Sequence, residues 1–193
     1  MKRGRPKNED SESKPTKRAR VAVELNSAPT EKLNVYVVGD GESGELGLGP
    51  KPIDGRRPTG VKVPRRNKLL DELNIAQVSA GGMHCVALTG DQKIVTWGVN
   101  DSGALGRDTN WEAPTKDMDA GSESEDSDDD CDLSPPESTP AAIDGDVLPS
   151  AQTFVQVVAT DSASFALTST GEVYGWGSFR VSKLLFISTV THI

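Results

Sequence analysis

The chain has 193 residues, of which 35% are hydrophobic and only 5% aromatic, so part of its length is expected to be solvated tail or insertion rather than packed core. Its two cysteines form no CxxC pair, which excludes a disulfide framework, and no His/Cys cluster has the spacing of a zinc site. No apolar run approaches the roughly 18 residues of a membrane-spanning helix, and no apolar segment follows the basic N-terminus. Membrane and secreted classes are thereby excluded, and a soluble intracellular protein is expected.

The formal net charge of −8 combines two segments of opposite sign. Residues 1–20 contain eight basic and three acidic residues, whereas residues 117–146 contain twelve acidic residues and no basic one. Charge that is separated in this way indicates that the two segments have separate functions.

The first predicted element is a tail over residues 1–32, which are polar, basic and without an apolar period, as in disordered segments. Two basic clusters in it have the spacing of a bipartite nuclear-import signal, which predicts a nuclear protein that binds an import receptor. The residues assigned to this signal and to DNA contact are Lys2, Arg3, Arg5, Lys7, Lys17, Arg18 and Arg20. Residues 3–6 also resemble an AT-hook core, whose arginines enter the minor groove; the alternative is a solvated basic tail.

The next predicted element is a strand that ends in a glycine-rich loop. The apolar run at residues 33–38 predicts the strand, and Gly39–Gly49, the first Gly box, predicts tight turns. The box matches the G-x-G-x-x-G pattern of dinucleotide-binding loops, but residues 46–52 hold two glycines and two prolines and cannot form the helix that such a site needs. Glu45 also stands where a P-loop needs lysine. The sequence therefore predicts turn glycines and no cofactor.

Two later segments repeat one another. Residues 81–98 align without a gap on residues 160–177 and share Ala87/Ala166, Leu88/Leu167, Thr89/Thr168, Trp97/Trp176 and Gly98/Gly177. Each segment contains two β-rich runs separated by a polar turn, as a β-hairpin requires, and each follows another apolar run. The two tryptophans close equivalent strands, which predicts packing within the repeated structure rather than recognition.

A glycine closes each repeated unit, at Gly39, Gly98 and Gly177. The spacings are 59 and 79 residues, and the excess is about the length of the acidic, Ser- and Pro-rich stretch. Residues 117–146 are therefore predicted to be a disordered insertion, which either shields basic, histone-like surfaces or is a solvated loop. A repeat of about 50–60 residues built of short strands and Gly turns predicts propeller blades. The predicted fold class is all-β, an incomplete β-propeller over residues 33–180.

The string Gly98–Thr109, together with Ala80–His84 and Trp176–Arg180, resembles the repeats of the regulator of chromosome condensation family. The resemblance covers residues 33–115 and 147–180. It implies a seven-bladed propeller, of which this chain would hold about two to three blades as an N-terminal fragment. It also implies that one face and the tail bind chromatin, both DNA and histones, while the opposite face binds the nuclear Ran GTPase and stabilises its nucleotide-free form. Such a guanine nucleotide exchange factor makes no covalent bond, so no enzyme activity, catalytic residue, metal or cofactor is expected.

The resemblance assigns four residues to the GTPase-facing surface: Glu42, His84, Asp161 and Arg180. Without the family, His84 would be interpreted as a structural loop histidine. The sequence departs from the family pattern at Thr160 and Ala163, where Gly and His are usual. Residues 181–193 contain no Gly box, so they are predicted to be a tail outside the family pattern, and the chain is expected to be truncated with little exchange activity. The alternative function is a non-catalytic repeat scaffold that binds chromatin or a protein partner.

Overall fold

The computed structural model describes residues 26–53, 55–56, 58–113, 133–145, 147–149, 152–179 and 191–192. Both basic clusters of the predicted tail, most of the predicted acidic insertion and Arg180 lie outside these residues. None of the described helices is long and apolar enough to cross a membrane.

The described residues form three antiparallel sheets. The strands are β1 (Tyr36–Asp40), β2 (Gly60–Arg66), β3 (Ile75–Ala80), β4 (His84–Thr89), β5 (Ile94–Gly98), β6 (Ala141–Ala142), β7 (Phe154–Ala159), β8 (Ala163–Thr168), β9 (Val173–Gly177) and β10 (Thr191–His192). The short helices are α1 (Lys68–Glu72) and α2 (Pro135–Ser138), and a 3-10 turn spans Asp101–Gly103. The sheets have the strand orders β1-β2, β3-β4-β5-β6 and β10-β9-β8-β7, here called blades 1, 2 and 3. The predicted all-β fold is confirmed.

Blades 2 and 3 are structural copies. In both, the first strand pair shifts its register near the start, and a two-residue strand adds to the outer edge. In the blade 2 hairpin, the Thr89 hydroxyl accepts a hydrogen bond from the Lys93 amide at 2.9 Å. In blade 3, the Thr168 hydroxyl accepts one from the Glu172 amide at 3.0 Å. The gapless alignment of the hairpins is therefore confirmed, and residues 191–192, predicted to lie outside the family pattern, form the edge strand of blade 3.

A hydrophobic core lies between blades 2 and 3. The facing strands of the two blades are β3 and β7. The Gln77 and Ser79 side chains of β3 accept hydrogen bonds from the Val157 and Ala159 amides of β7, at 3.0 and 2.9 Å. Burial of each large apolar side chain stabilises such a core by about 1.5–3 kcal/mol. Its buried members include Val86, Leu88, Ile94, Ile143, Phe154, Val157, Tyr174 and Trp176.

Blade 1 has two of the four strands seen in the other blades. Gly39 in β1 has φ of 117°, and Gly98 and Gly177, which end β5 and β9, have φ of 97° and 98°. These left-handed conformations favour glycine, so β1 is the counterpart of β5 and β9, and β2 is the counterpart of β6. Among the described residues, β2 is the one strand that pairs with β1, and the three sheets do not close a ring. The predicted incomplete propeller is confirmed.

The described part of blade 2 resumes at residue 133, before the end of the insertion that the acidic composition predicts. Residues 133–145 lie in the predicted insertion, yet they contain α2 and β6, and β6 pairs with β5 at Val95 and Thr96. Arg107 fixes this segment, because its guanidinium donates to the carbonyl oxygens of Pro136 at 2.7 Å and of Thr96 at 3.0 Å. A strand of two residues has no alternation of apolar and polar residues to detect, so the count of acidic residues extended the predicted insertion too far.

Candidate partner-binding face

The loops that follow β1, β3, β5, β7 and β9 lie at one end of the blades, here called the Gly-box end. In an antiparallel meander, the first and third strands finish at the same end, and the first Gly box packs against the end of β5. Glu42 follows β1, His84 begins β4, and Asp161 lies between β7 and β8. Three of the four predicted surface residues therefore share this end, while Arg180 lies outside the described residues.

The first Gly box holds the tryptophan of blade 2. The Trp97 indole, 2% exposed, donates from Nε1 to the carbonyl oxygen of Glu45 at 2.9 Å. Gly47 lies so close that a Cβ there would come within 2.7 Å of the indole ring. The box folds as successive turns, with the Gly44 amide donating to the Gly41 carbonyl at 3.0 Å, and not as the start of a helix. We call this contact an interblade joint.

The second Gly box forms the same interblade joint with blade 3. The Trp176 indole donates from Nε1 to the carbonyl oxygen of Ala104 at 3.0 Å, and a Cβ on Gly106 would come within 2.8 Å of its ring. The Asn100 side chain keeps the box in shape by accepting a hydrogen bond from the Leu105 amide at 2.9 Å. The predicted packing role of both tryptophans is confirmed, and the joints explain why the Gly boxes recur with them.

His84 is part of the joint between blades 2 and 3. Its side chain is buried, at 2% exposure, and its Nε2 lies 2.9 Å from the Ser164 hydroxyl oxygen. That hydroxyl donates its single proton to the Ala104 carbonyl at 2.9 Å, so the imidazole must donate from Nε2. Burial lowers the pKa of His84, because the charged form is desolvated, and the Asp161 carboxylate opposes this effect. His84 is therefore a neutral hydrogen-bond donor between blades.

The lowered pKa of His84 predicts that acid weakens the fold. In the unfolded chain a histidine takes up a proton near pH 6.5, whereas the folded chain resists protonation until a lower pH. The free energy of unfolding should therefore be at its full value above about pH 6.5 and should fall as the pH drops from there toward the folded pKa. Urea unfolding at about pH 7.5 and 5.5 measures this change. The His84→Gln variant, which keeps a side-chain N–H donor, should lose this part of the pH dependence. Equal pH dependence in wild type and His84→Gln would contradict the assignment.

The loops around Asp161 and His84 form one continuous surface. The Gly82 amide donates to the Thr160 carbonyl at 3.1 Å, and a Cβ on Gly82 would lie 2.5 Å from a carboxylate oxygen of Asp161. Thr160 closes its own loop, because its hydroxyl donates to the Ala163 carbonyl at 2.9 Å. Thr160, which stands where the family usually has glycine, thus supplies a contact within this loop. The Asp161 side chain beside Gly82 is exposed.

The Gly-box end carries exposed acidic residues from all three blades. Asp40 ends β1 and Glu42 follows it, Asp101 follows β5, and Asp161 lies between β7 and β8; all four are exposed. Asp101 is absent from the predicted set, although aligning Gly98 on Gly39 places it opposite Glu42 and would have identified it. The end therefore suits a partner with basic side chains.

Two observations limit the chemistry of this end. The described residues contain no group of three or more His, Cys, Asp or Glu side chains that could hold a metal ion. Burial raises the pKa of Cys85, the residue next to His84, to about 11, so its thiol stays protonated near neutral pH and is a poor nucleophile.

The comparisons with known proteins point to one family. Models of the regulator of chromosome condensation (RCC1) repeat match residues 34–88, and residues 75–104 and 154–180. The chain is 44% identical over 159 residues to the guanine nucleotide exchange factor SRM1 of Saccharomyces cerevisiae, across 79% of this chain and 32% of SRM1. The chain thus spans about a third of the length of this relative.

Two solved structures share the fold. One is Prp20p from Saccharomyces cerevisiae, a protein studied for its binding to Gsp1p and histones, with a TM-score of 0.64, 35% identity, and coverage of 84% of this chain and 34% of that one. The other is yeast RCC1 (Prp20) with Kap60 bound, with a TM-score of 0.62, 33% identity, and coverage of 90% and 38%.

Proposed function

This chain belongs to the regulator of chromosome condensation family, and from this premise we propose that it acts as a guanine nucleotide exchange factor for the nuclear Ran GTPase, in association with chromatin. SRM1, which is 44% identical over the matched region, is named as a guanine nucleotide exchange factor. The observation that carries the proposal is the Gly-box end, where interblade joints hold exposed acidic side chains of three blades on one surface.

The proposed mechanism is differential binding without covalent chemistry. A partner that binds the empty GTPase more tightly than the nucleotide-bound GTPase shifts the equilibrium toward release, and no bond is made or broken in the factor. Rigid loops favour this mechanism, because a surface that is already ordered loses little conformational entropy on binding. Acidic residues on the rim raise the association rate with a basic partner and set the register of the complex.

We assign direct GTPase contacts to Glu42 and Asp161, whose side chains are exposed, and a positioning role to His84. His84 is buried, so its contribution is to hold blades 2 and 3 together and thereby to fix the Asp161 loop against Gly82. Arg180, which lies outside the described residues, stays a predicted GTPase contact.

The remaining partners follow from the predicted tail. We propose that the two basic clusters bind a nuclear-import receptor and that the tail then contacts DNA and histones, which places the protein in the nucleus. Two solved structures of one relative support this assignment: Prp20p was studied for binding to histones, and the same yeast protein, RCC1 (Prp20), forms a complex with Kap60.

Release of a fluorescent GDP analogue from Ran, followed by stopped flow, tests the exchange activity. We expect this chain to speed release only slightly above the intrinsic rate and far less than an extended form, because the described blades supply part of the surface. Binding to Ran with an unchanged release rate would refute exchange and leave the second candidate, a non-catalytic scaffold that binds chromatin or a protein partner.

A further inference from the structure

We propose that a groove on blade 1 binds an acidic peptide segment of a partner protein through cationic side chains around an apolar floor. The groove has a volume of about 540 Å³ and lies between residues 48–53 and the connection from β2 to α1. Its lining includes Leu48 and Gly49 of the first Gly box, while Arg65 and Arg66 come from the end of the blade 1 sheet where Tyr36 pairs with Arg66, opposite to the end where Asp40 pairs with Gly60. Neither Glu42 nor Asp161, the residues assigned to direct GTPase contact, lines the groove.

The lining of this groove combines two kinds of side chain. Four cationic residues contribute to it: Lys51, Arg65, Arg66 and Lys68. Its apolar residues are Leu48, Pro50, Pro52, Ile53 and Leu69, and none of its described lining residues is acidic. Arg66 also pairs with Asp71 at 2.7 Å, which holds the guanidinium in place, while Lys51 and Lys68 are exposed. A ligand that matches this surface carries several carboxylates and at least one apolar side chain.

Buried hydrogen bonds of Asn67 hold the two walls of the groove together. The Asn67 side chain is fully buried, and its Nδ2 donates to the carbonyl oxygens of Leu46 at 3.1 Å and Gly47 at 2.8 Å. Its Oδ1 accepts from the Leu70 amide at 3.2 Å, which caps α1. Prolines at 50 and 52 restrict the opposite wall. A groove held in this way loses little entropy when a peptide enters it.

The lining favours a peptide over a nucleic acid. Proteins that hold single strands stack bases on aromatic rings, and the described lining residues include no Phe, Tyr or Trp. The cations also surround an apolar cleft, whereas a duplex is bound by cations spread along its phosphates. The apolar floor would remain unused by a phosphate backbone, but it accommodates a leucine-sized side chain.

Fluorescence anisotropy of the whole chain with short synthetic peptides tests the proposal. The probe is a peptide of aspartate and glutamate around one leucine, compared with the same peptide carrying serine in place of leucine. We expect Lys51→Glu combined with Lys68→Glu to weaken probe binding at least about tenfold, because two attractions become repulsions. Lys62→Glu is the matched control, since Lys62 is exposed on β2 but lies outside the groove, and it should change binding less than about twofold.

Several outcomes would overturn the proposal. One is equal weakening by the groove variants and by the Lys62 control, which would indicate a general effect of net charge. Others are equal affinity for the leucine and serine peptides, or a loss of DNA-oligonucleotide binding in the groove variants as large as their loss of probe binding. A peptide with the sequence of residues 117–132 that binds more tightly than the probe would place the chain's own acidic segment in the groove instead of a partner. None of these results depends on GDP release from Ran, so the groove proposal and the proposed exchange function are tested independently of each other.

Discussion

Replacement of Trp97 by alanine is expected to lower the free energy of unfolding by about 3–5 kcal/mol. The indole is 2% exposed and packs with Leu70, Ile75 and Val95, so its removal leaves a cavity at the joint between blades 1 and 2. The variant also loses the hydrogen bond to the Glu45 carbonyl. Denaturant unfolding followed by far-UV circular dichroism measures the loss without depending on tryptophan fluorescence.

Two further substitutions separate the causes of that loss. Trp97→Phe keeps most of the buried area and removes the Nε1 donor, so it should cost about 1–3 kcal/mol, with the Glu45 carbonyl left to the weak Cys85 thiol donor at 3.9 Å. Trp111→Ala is the matched control, because Trp111 is half-buried and lies outside the strands, and it should cost less than about 1 kcal/mol. If both alanine substitutions lower the free energy of unfolding equally, the Trp97 joint is not a main contact between blades 1 and 2.

Reversal of charge at Asp161 is expected to weaken binding to Ran about tenfold or more at low salt and to leave stability nearly unchanged. The carboxylate is exposed on the Gly-box end beside Gly82, so a lysine there changes the charge of the surface without entering the core. The effect should shrink as salt rises, because screening weakens interactions between exposed charges. Surface plasmon resonance with immobilised Ran measures both the affinity and its salt dependence.

Asp91→Lys provides the matched control for this substitution. Asp91 lies in the hairpin at the opposite end of blade 2, where it pairs with Lys93 at 2.9 Å, and its pKa is lowered by hydrogen bonds from Thr89 and Lys93. The same charge reversal there should change Ran binding less than about twofold. If the two variants weaken binding equally, the Gly-box end is not the surface that the GTPase contacts.

Much of the fold follows from local sequence. The hairpins of blades 2 and 3 were predictable because their apolar runs and polar turns recur without a gap, down to Thr89 and Thr168, whose hydroxyls close the turns. The positions of Gly98 and Gly177 were predictable for the same reason, because they recur at the end of each hairpin. Few residues other than glycine adopt their left-handed φ values. The incomplete ring was predictable from the number of repeats.

Other features depend on contacts between distant residues. His84 and Ser164 are 80 positions apart, and only the packing of blade 2 on blade 3 shows that the imidazole is buried. Likewise, β6 is held in place by pairing with β5 and by the contacts of Arg107 with the preceding helix. Neither contact can be recognised from the pattern of apolar and polar residues in β6. Resemblance assigned Glu42, His84 and Asp161 to one surface, but it did not distinguish the exposed carboxylates from the buried His84.

The affinity of this chain for nucleotide-free Ran, compared with its affinity for Ran bound to GDP, tests the proposed function most directly. A factor that drives release must bind the empty GTPase more tightly, so a clearly lower Kd for nucleotide-free Ran is expected, and Asp161→Lys should raise it. Equal affinity for both forms, or preference for the GDP-bound form, would contradict exchange by this surface.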